Sequence, residues 1–121
     1  MPTNVLGTEL RSCGCNPMTG FYRDGSCRVG PDDHGVHAVC VELTREFLDF
    51  SVLDGNDLVT PRPEYQFPGL NPGDRWCVCV TRWKAAMDKG RAAPVDLEAT
   101  HQSALEFVTL EELRAHALAS S

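Results

Sequence analysis

The stretch GDRWCVCVTRW, residues 73–83, places two cysteines one residue apart between two tryptophans. Asp74 is a residue type that caps helix N-termini, and Gly90 is a typical helix stop. Between them, one face at helical spacing is formed by Trp76, Val80, Trp83 and Met87. The pattern predicts a helix between Asp74 and Gly90, in which the Cys77 and Cys79 side chains point about 200° apart.

Upstream, VHAVCVEL (36–43) is rich in β-branched residues and alternates, which predicts a strand. Thr44 is a candidate N-cap and Gly55 a candidate stop, so a helix of about ten residues is expected between them. The segment 55–74 contains four prolines and predicts a long ordered loop.

The remaining elements are short. Asp24-Gly25 is typical of a hairpin turn, while VDLEAT (95–100) and LEFV (105–108) resemble strands. Thr109 begins a capping-box pattern before a helix at 110–118. Together these elements predict one α+β domain over residues 1–121, with a short, mostly antiparallel sheet, about three helices and long ordered loops.

Charge excludes some functions. Among 121 residues, 11 Lys+Arg stand against 17 Asp+Glu, a formal net charge of -6, and no basic cluster is present. Nucleic-acid binding, which depends on a basic surface, is therefore not expected. The start MPTNVLGTEL has no basic and apolar leader, and no apolar run is long enough to span a membrane, so a cytoplasmic location without membrane attachment is predicted.

Six cysteines are unusual for such a protein, since reducing compartments favour metal ligands or reactive thiols over disulfides. The first hypothesis is a transition-metal site, with zinc preferred because it accepts mixed thiolate and imidazole ligands, and with Cu(I) or iron as alternatives. The candidate ligands are Cys13, Cys15, Cys27, His37, Cys40 and Cys79. A loop disulfide joining Cys27 to Cys13 or Cys15 is an alternative use of some of these thiols.

The second hypothesis is a metal-free enzyme that uses Cys77 or Cys40 as a nucleophile. Cys77 is expected in the first turn of a helix, where the helix dipole lowers the pKa of a thiol. His37, Asp33 or Asp57 are possible partners of that thiol. The candidate catalytic and substrate-binding residues, for a small polar molecule, are Cys77, Asp57, Arg62, Asp74 and Arg75. The third hypothesis is a non-catalytic interaction module whose thiols are buried.

Three long stretches resemble a known family. They are NVLGTEL (4–10), residues 19–50 beginning TGFYRDGSCRVG, and residues 55–113 beginning GNDLVTPRPEY. In these stretches the chain resembles the domain-of-unknown-function family 2237 of small bacterial proteins. The resemblance implies a single small cytosolic domain and assigns no activity or catalytic residue.

Overall fold

Two short antiparallel strands lie at the centre of the fold. The computed structural model describes residues 2–14, 18–65, 67 and 69–118. Strand β1 spans Val39–Glu42 and β2 spans Arg75–Val78, with Cys40 opposite Cys77 and Val41 opposite Trp76. A third segment extends this sheet, because Val95 forms a bridge with Val41 on the other edge of β1.

Three α-helices surround the strands in the described part of the chain. They are α1 at Arg45–Leu53, α2 at Val80–Asp88 and α3 at Leu110–Ala115. Short 3-10 turns occupy Pro63–Tyr65, Leu97–Ala99 and Gln102–Glu106. None of the described helices has the length and apolar character needed to cross a membrane. The predicted α+β class, with a short antiparallel sheet and about three helices, is confirmed.

Capping chemistry fixes two helix starts as predicted. The Thr44 side chain accepts a hydrogen bond from the Phe47 N–H at the start of α1. Thr109 and Glu112 form both hydrogen bonds of a capping box at the start of α3. Each cap satisfies backbone N–H groups that the helix itself leaves unpaired.

The predicted helix between Asp74 and Gly90 is wrong in its first part. Residues Arg75–Val78 form β2, and α2 starts only at Val80. The apolar run WCVCV is buried between β1 and the rest of the core, and pairing with β1 outweighs the helical spacing of its large residues. Cys77 and Cys79 consequently have strand rather than helix geometry between them.

Other boundaries also differ. The strand predicted at 36–43 is limited to Val39–Glu42, because Val36 has a left-handed backbone with φ of 51°. The strands predicted at 95–100 and 105–108 are largely 3-10 turns, capped by the side chains of Asp96 and His101. Local side-chain caps compete with sheet pairing in these segments.

Two buried clusters stabilise the fold. The larger is apolar, and its largest fully buried side chains are Trp83, Phe47, Leu43, Leu70 and Leu113. The smaller consists of Cys13, Cys27, Cys40, Cys77 and Ala99. The cysteines thus form a core of their own beside the apolar one.

Candidate functional site

A hydrogen-bonded chain of three side chains lies where β2 meets α2. Cys79 is the residue between these elements, and its Sγ lies 3.2 Å from Nε2 of His37. On the opposite side of the ring, Nδ1 of His37 lies 2.6 Å from an Asp33 carboxylate oxygen. The arrangement is that of a thiol, a base and an orienting carboxylate.

Both carboxylate oxygens of Asp33 contact His37. Its carboxylate is fully buried, and its second oxygen accepts the backbone N–H of His37 at 2.9 Å. The two residues are four apart in sequence, so the bidentate contact sets the orientation of the imidazole. A buried carboxylate in this position also stabilises a positively charged ring.

A strained loop brings His37 to Cys79. Val36 is β-branched yet has a positive φ of 51°, a conformation that costs free energy. Its carbonyl accepts hydrogen bonds from the Val80 N–H at 3.1 Å and the Ala38 N–H at 2.8 Å. The loop is thereby attached to the first residue of α2, directly beside the sulfur.

Gly35 leaves room for the pair. A Cβ atom added to Gly35 would lie 3.0 Å from the Cys79 sulfur and 3.1 Å from Cε1 of His37. These contacts are tighter than a methyl group normally makes, so the site requires glycine at this position for space.

The ionic state of the ring follows from its contacts. The pKa of His37 is raised from 6.5 to about 9. The hydrogen bond with Cys79 is the largest cause and opposes the effect of burial, which lowers the pKa. The charge of Cys79 and the hydrogen bond and charge of Asp33 raise it further. His37 is therefore an imidazolium at neutral pH, with both ring nitrogens as donors.

One side of this site is aromatic. The Phe21 ring lies 5.7 Å from the His37 ring, and Phe21 remains 37% exposed. Tyr22 packs edge-on against Phe21, and the Arg28 guanidinium covers the Tyr22 ring at 4.1 Å. A ligand that reaches Cys79 therefore meets an apolar wall beside a cationic ring.

The other cysteines of the described residues are in disulfides. Cys13 is bonded to Cys40, and Cys27 to Cys77. Both bonds are buried, and three of the four sulfurs, those of Cys13, Cys27 and Cys77, lie within 4.8 Å of one another. Neither bond is the loop disulfide expected from the sequence, because β1 and β2 bring their cysteines to the loops instead.

Arg75 lies against this cluster. Its guanidinium forms an ion pair with Asp96, donates to the Cys13 carbonyl at 3.1 Å, and lies 3.6 Å from the Cys40 sulfur. Arg75 was predicted to bind substrate. In the structure it connects a loop, a strand and a disulfide.

The metal ligands and the nucleophile predicted from the sequence lie in separate parts of the structure. His37 and Cys79, both proposed as metal ligands, contact each other. Cys13, Cys27 and Cys40 share the sulfur cluster with Cys77, the proposed nucleophile, which is bonded and 1% exposed. Cys15 lies outside the described residues.

Three polar residues of the predicted catalytic set have local contacts. The hydrogen bond from the Thr60 side chain is the largest cause that lowers the pKa of Asp57. Asp57 also accepts the Thr60 and Val59 N–H groups within its own exposed turn. Arg62 bridges to Phe67 through its backbone, and Asp74 accepts the Asn71 N–H. These contacts stabilise the proline-rich loop.

Sequence reasoning missed Cys79 as the thiol beside His37. The signal was present in the four-residue spacing of Asp33 and His37, and Asp33 had been considered as a partner of Cys77. A helical interpretation of residues 73–83 concealed it, because it placed Cys77 in the first turn of the helix, whereas α2 begins at Val80 with Cys79 as its N-cap.

Comparison with known proteins agrees with the resemblance seen in the sequence. The family described as "Uncharacterized protein conserved in bacteria (DUF2237)" matches residues 3–117. No functionally curated protein matches the chain.

Proposed function

We propose that this chain, which belongs to the bacterial family DUF2237, is a thiol enzyme whose nucleophile is Cys79. The observation that supports this function is the hydrogen-bonded chain from Cys79 through His37 to the buried Asp33. A thiolate–imidazolium pair is more nucleophilic at neutral pH than an ordinary thiol, because it contains the reactive form of sulfur.

The proposed chemistry is acyl transfer from a small molecule. The Cys79 thiolate attacks a carbonyl carbon and forms a C–S bond, while the bond to the leaving group breaks. His37 donates its Nε2 proton to the leaving group and becomes neutral. Water then attacks the thioester, His37 takes up the water proton, and the carboxylic acid and the thiolate are released.

Position at a helix N-terminus supports the same chemistry. Cys79 is the N-cap of α2, and its side chain makes no capping hydrogen bond. The first backbone N–H groups of a helix have no intrahelical acceptor and favour negative charge. The Val80 N–H already donates to the Val36 carbonyl, so the N–H groups of Thr81 and Arg82 are the ones that can stabilise the thiolate and the oxyanion that develops on the carbonyl.

Alkylation tests the nucleophile. The native, non-reduced protein is treated with iodoacetamide at neutral pH, and modification of the tryptic peptide 76–82 is followed by mass spectrometry. We expect Cys79 to react faster than a cysteine in a short peptide, and His37→Asn to slow it at least about tenfold. His34→Asn, at an exposed neighbouring histidine, is the matched control and should not change the rate. Equal rates in wild type and His37→Asn would contradict the activated pair.

Turnover tests the reaction class. A panel of small esters and thioesters is assayed for hydrolysis and for an acyl adduct on Cys79 in the intact mass. Cys79→Ser should lose both. If Cys79 alkylates rapidly but no substrate acylates it, the thiol is activated and acyl transfer is excluded for that panel.

Transition-metal binding, with zinc first, is a second candidate function. It is supported by the cluster of Cys13, Cys27 and Cys77 sulfurs within 4.8 Å. His37 is less suited to join this site, because its two ring nitrogens already face Cys79 and Asp33. A cytoplasmic location, the compartment predicted from the sequence, would favour the reduced thiols that zinc requires. Elemental analysis of protein purified without oxygen tests this function, and absence of bound metal would exclude it.

A further inference from the structure

We propose that Cys13, Cys27, Cys40 and Cys77 form a redox switch, which holds two disulfides when oxidised and one four-thiolate zinc site when reduced. The inference rests on the second candidate function and deepens it, by naming the complete ligand set and the condition under which it binds. It is independent of the Cys79 site.

Sulfur geometry is the first argument. Zinc is bound by four thiolates at about 2.3 Å in a tetrahedron, so its sulfurs lie about 3.8 Å apart. Cys13, Cys27 and Cys77 already have their sulfurs within 4.8 Å of one another, and Cys40 is bonded to Cys13. Opening both disulfides therefore leaves three sulfurs near the spacing of a zinc site, and the Cys40 sulfur, which lies beside that of Cys13 but outside the 4.8 Å group, has to turn toward Cys27 and Cys77 to complete it.

The support of the ligands is the second argument. Cys40 and Cys77 are opposite one another on β1 and β2, so the paired strands fix two of the four ligands. The apolar core cluster is formed by other residues, and it can hold these strands together when the disulfides open. A preformed pair of ligands lowers the entropic cost of binding the metal.

Charge is the third argument. A zinc ion with four thiolates has a net charge of -2, which is costly to bury unless it is compensated. The Arg75 guanidinium lies 3.6 Å from the Cys40 sulfur and donates toward it, so it compensates part of this charge while it also pairs with Asp96. The Thr19 hydroxyl and the Thr100 hydroxyl accept the backbone N–H groups of Cys77 and Cys40, which orients both residues.

A dithiol reductant supplies the electrons and protons that convert the two disulfides into four thiols. Each of the two disulfides takes up two electrons and two protons from one dithiol, which becomes a cyclic disulfide. The four resulting thiols release their protons as they bind zinc. In the reverse direction two molecules of a small-molecule disulfide accept two electrons each and leave as four thiolates, the zinc dissociates, and the two protein disulfides form again.

Metal titration in two oxidation states tests the switch. Protein reduced by a dithiol and desalted without oxygen is titrated with Co²⁺, which reports thiolate ligation through its absorption spectrum, and Zn²⁺ is then added to displace it. We expect one equivalent with a four-thiolate spectrum in reduced protein and none in oxidised protein. Equal binding in both states would leave metal binding intact and overturn the switch. Binding in neither state would overturn both.

Variants identify the ligands. Cys27→Ser and Cys40→Ser each remove one ligand from a different disulfide, and each should weaken Zn²⁺ binding more than about 100-fold, beyond the roughly 10–100-fold cost of losing an outer-shell contact. Cys79→Ser is the matched control and should bind as wild type does. Loss of binding in Cys79→Ser with binding retained in the other two would overturn the assignment. Should both ligand variants fail to fold, the comparison of oxidised and reduced wild type decides.

Discussion

Gly35 leaves space for the candidate active site because it has no Cβ atom. The Cβ of an alanine at position 35 would lie 3.0 Å from the sulfur and 3.1 Å from the His37 ring. Either the thiol or the imidazole must then move by a few tenths of an ångström, and the rates of reacting groups fall when their alignment is disturbed.

Gly35→Ala should therefore slow alkylation of Cys79, by up to about tenfold. The rate is measured on peptide 76–82, together with the thermal unfolding midpoint. Asp32→Ala, at an exposed position of the same loop, is the control. An unchanged Cys79 rate in folded Gly35→Ala protein would show that the sulfur is not confined by this loop.

The His37 pKa predicts how stability depends on pH. The folded pKa of about 9 lies above the ordinary value of 6.5. For such a group, the stabilisation is complete below about pH 6.5 and is lost as the pH rises through about 9. Urea unfolding should show this decline in wild type.

Cys79→Ala is the informative variant for this prediction, because the hydrogen bond with Cys79 is the largest cause of the raised pKa. The pKa of His37, followed by NMR titration of its ring protons, should fall toward 6.5 in this variant, and the stability decline should shrink with it. A His37 pKa that stays near 9 would assign the shift to Asp33 instead.

At the scale of elements, the sequence is most informative where local chemistry decides. The caps at Thr44 and Thr109 and the approximate positions of α1 and α3 follow from patterns within a few residues. The helix predicted across residues 75–78 was wrong, because the strand there exists only through its pairing with β1, 35 residues earlier. Residues close in sequence cannot reveal such a pairing.

The contacts of the candidate site also depend on parts of the chain that are distant in sequence. The sequence indicated chemistry among the thiols and His37, but the partner of each sulfur is set by the register of β1 against β2 and by the left-handed turn at Val36. Val36 is a residue type that disfavours that turn, so no propensity rule would have placed it there. The pairing of His37 with Cys79 therefore required the structure.

The capping box of α3 is itself testable. Thr109→Ala removes the hydroxyl that accepts the Glu112 N–H, and it should lower the free energy of unfolding by about 1 kcal/mol. Thr81→Ala, at an exposed position of α2, makes the same chemical change away from a cap and should stay within about 0.5 kcal/mol of wild type. Urea denaturation measures both, and equal effects would argue against a stabilising cap.

At the scale of the whole molecule, the disulfides connect distant parts of the chain. Trypsin cleaves after Arg11, Arg23, Arg28, Arg45 and Arg82, among other sites. Without reduction, we expect peptide 12–23 to be linked to 29–45, and peptide 24–28 to 76–82, through Cys13–Cys40 and Cys27–Cys77. Mass spectrometry of an oxidised sample, with thiols blocked before digestion, identifies the links. A link between 12–23 and 24–28 would instead support the loop disulfide.

The two bonds should also determine how stable the oxidised molecule is. They join residues 27 and 50 positions apart, and the chain-entropy model gives roughly 3–4 kcal/mol for each loop of that size. Because the loops overlap in sequence, the two contributions are not independent, and a total loss of at least about 3 kcal/mol on reduction is expected. Urea unfolding with and without a dithiol, with a chelator present, measures this loss.

Zinc added to the reduced protein, without the chelator, should restore part of the lost stability, since a ligand that binds only the folded state stabilises that state. An unfolding midpoint that does not change, in protein whose intact mass shows four added hydrogens, would mean that the apolar cluster alone sets the stability.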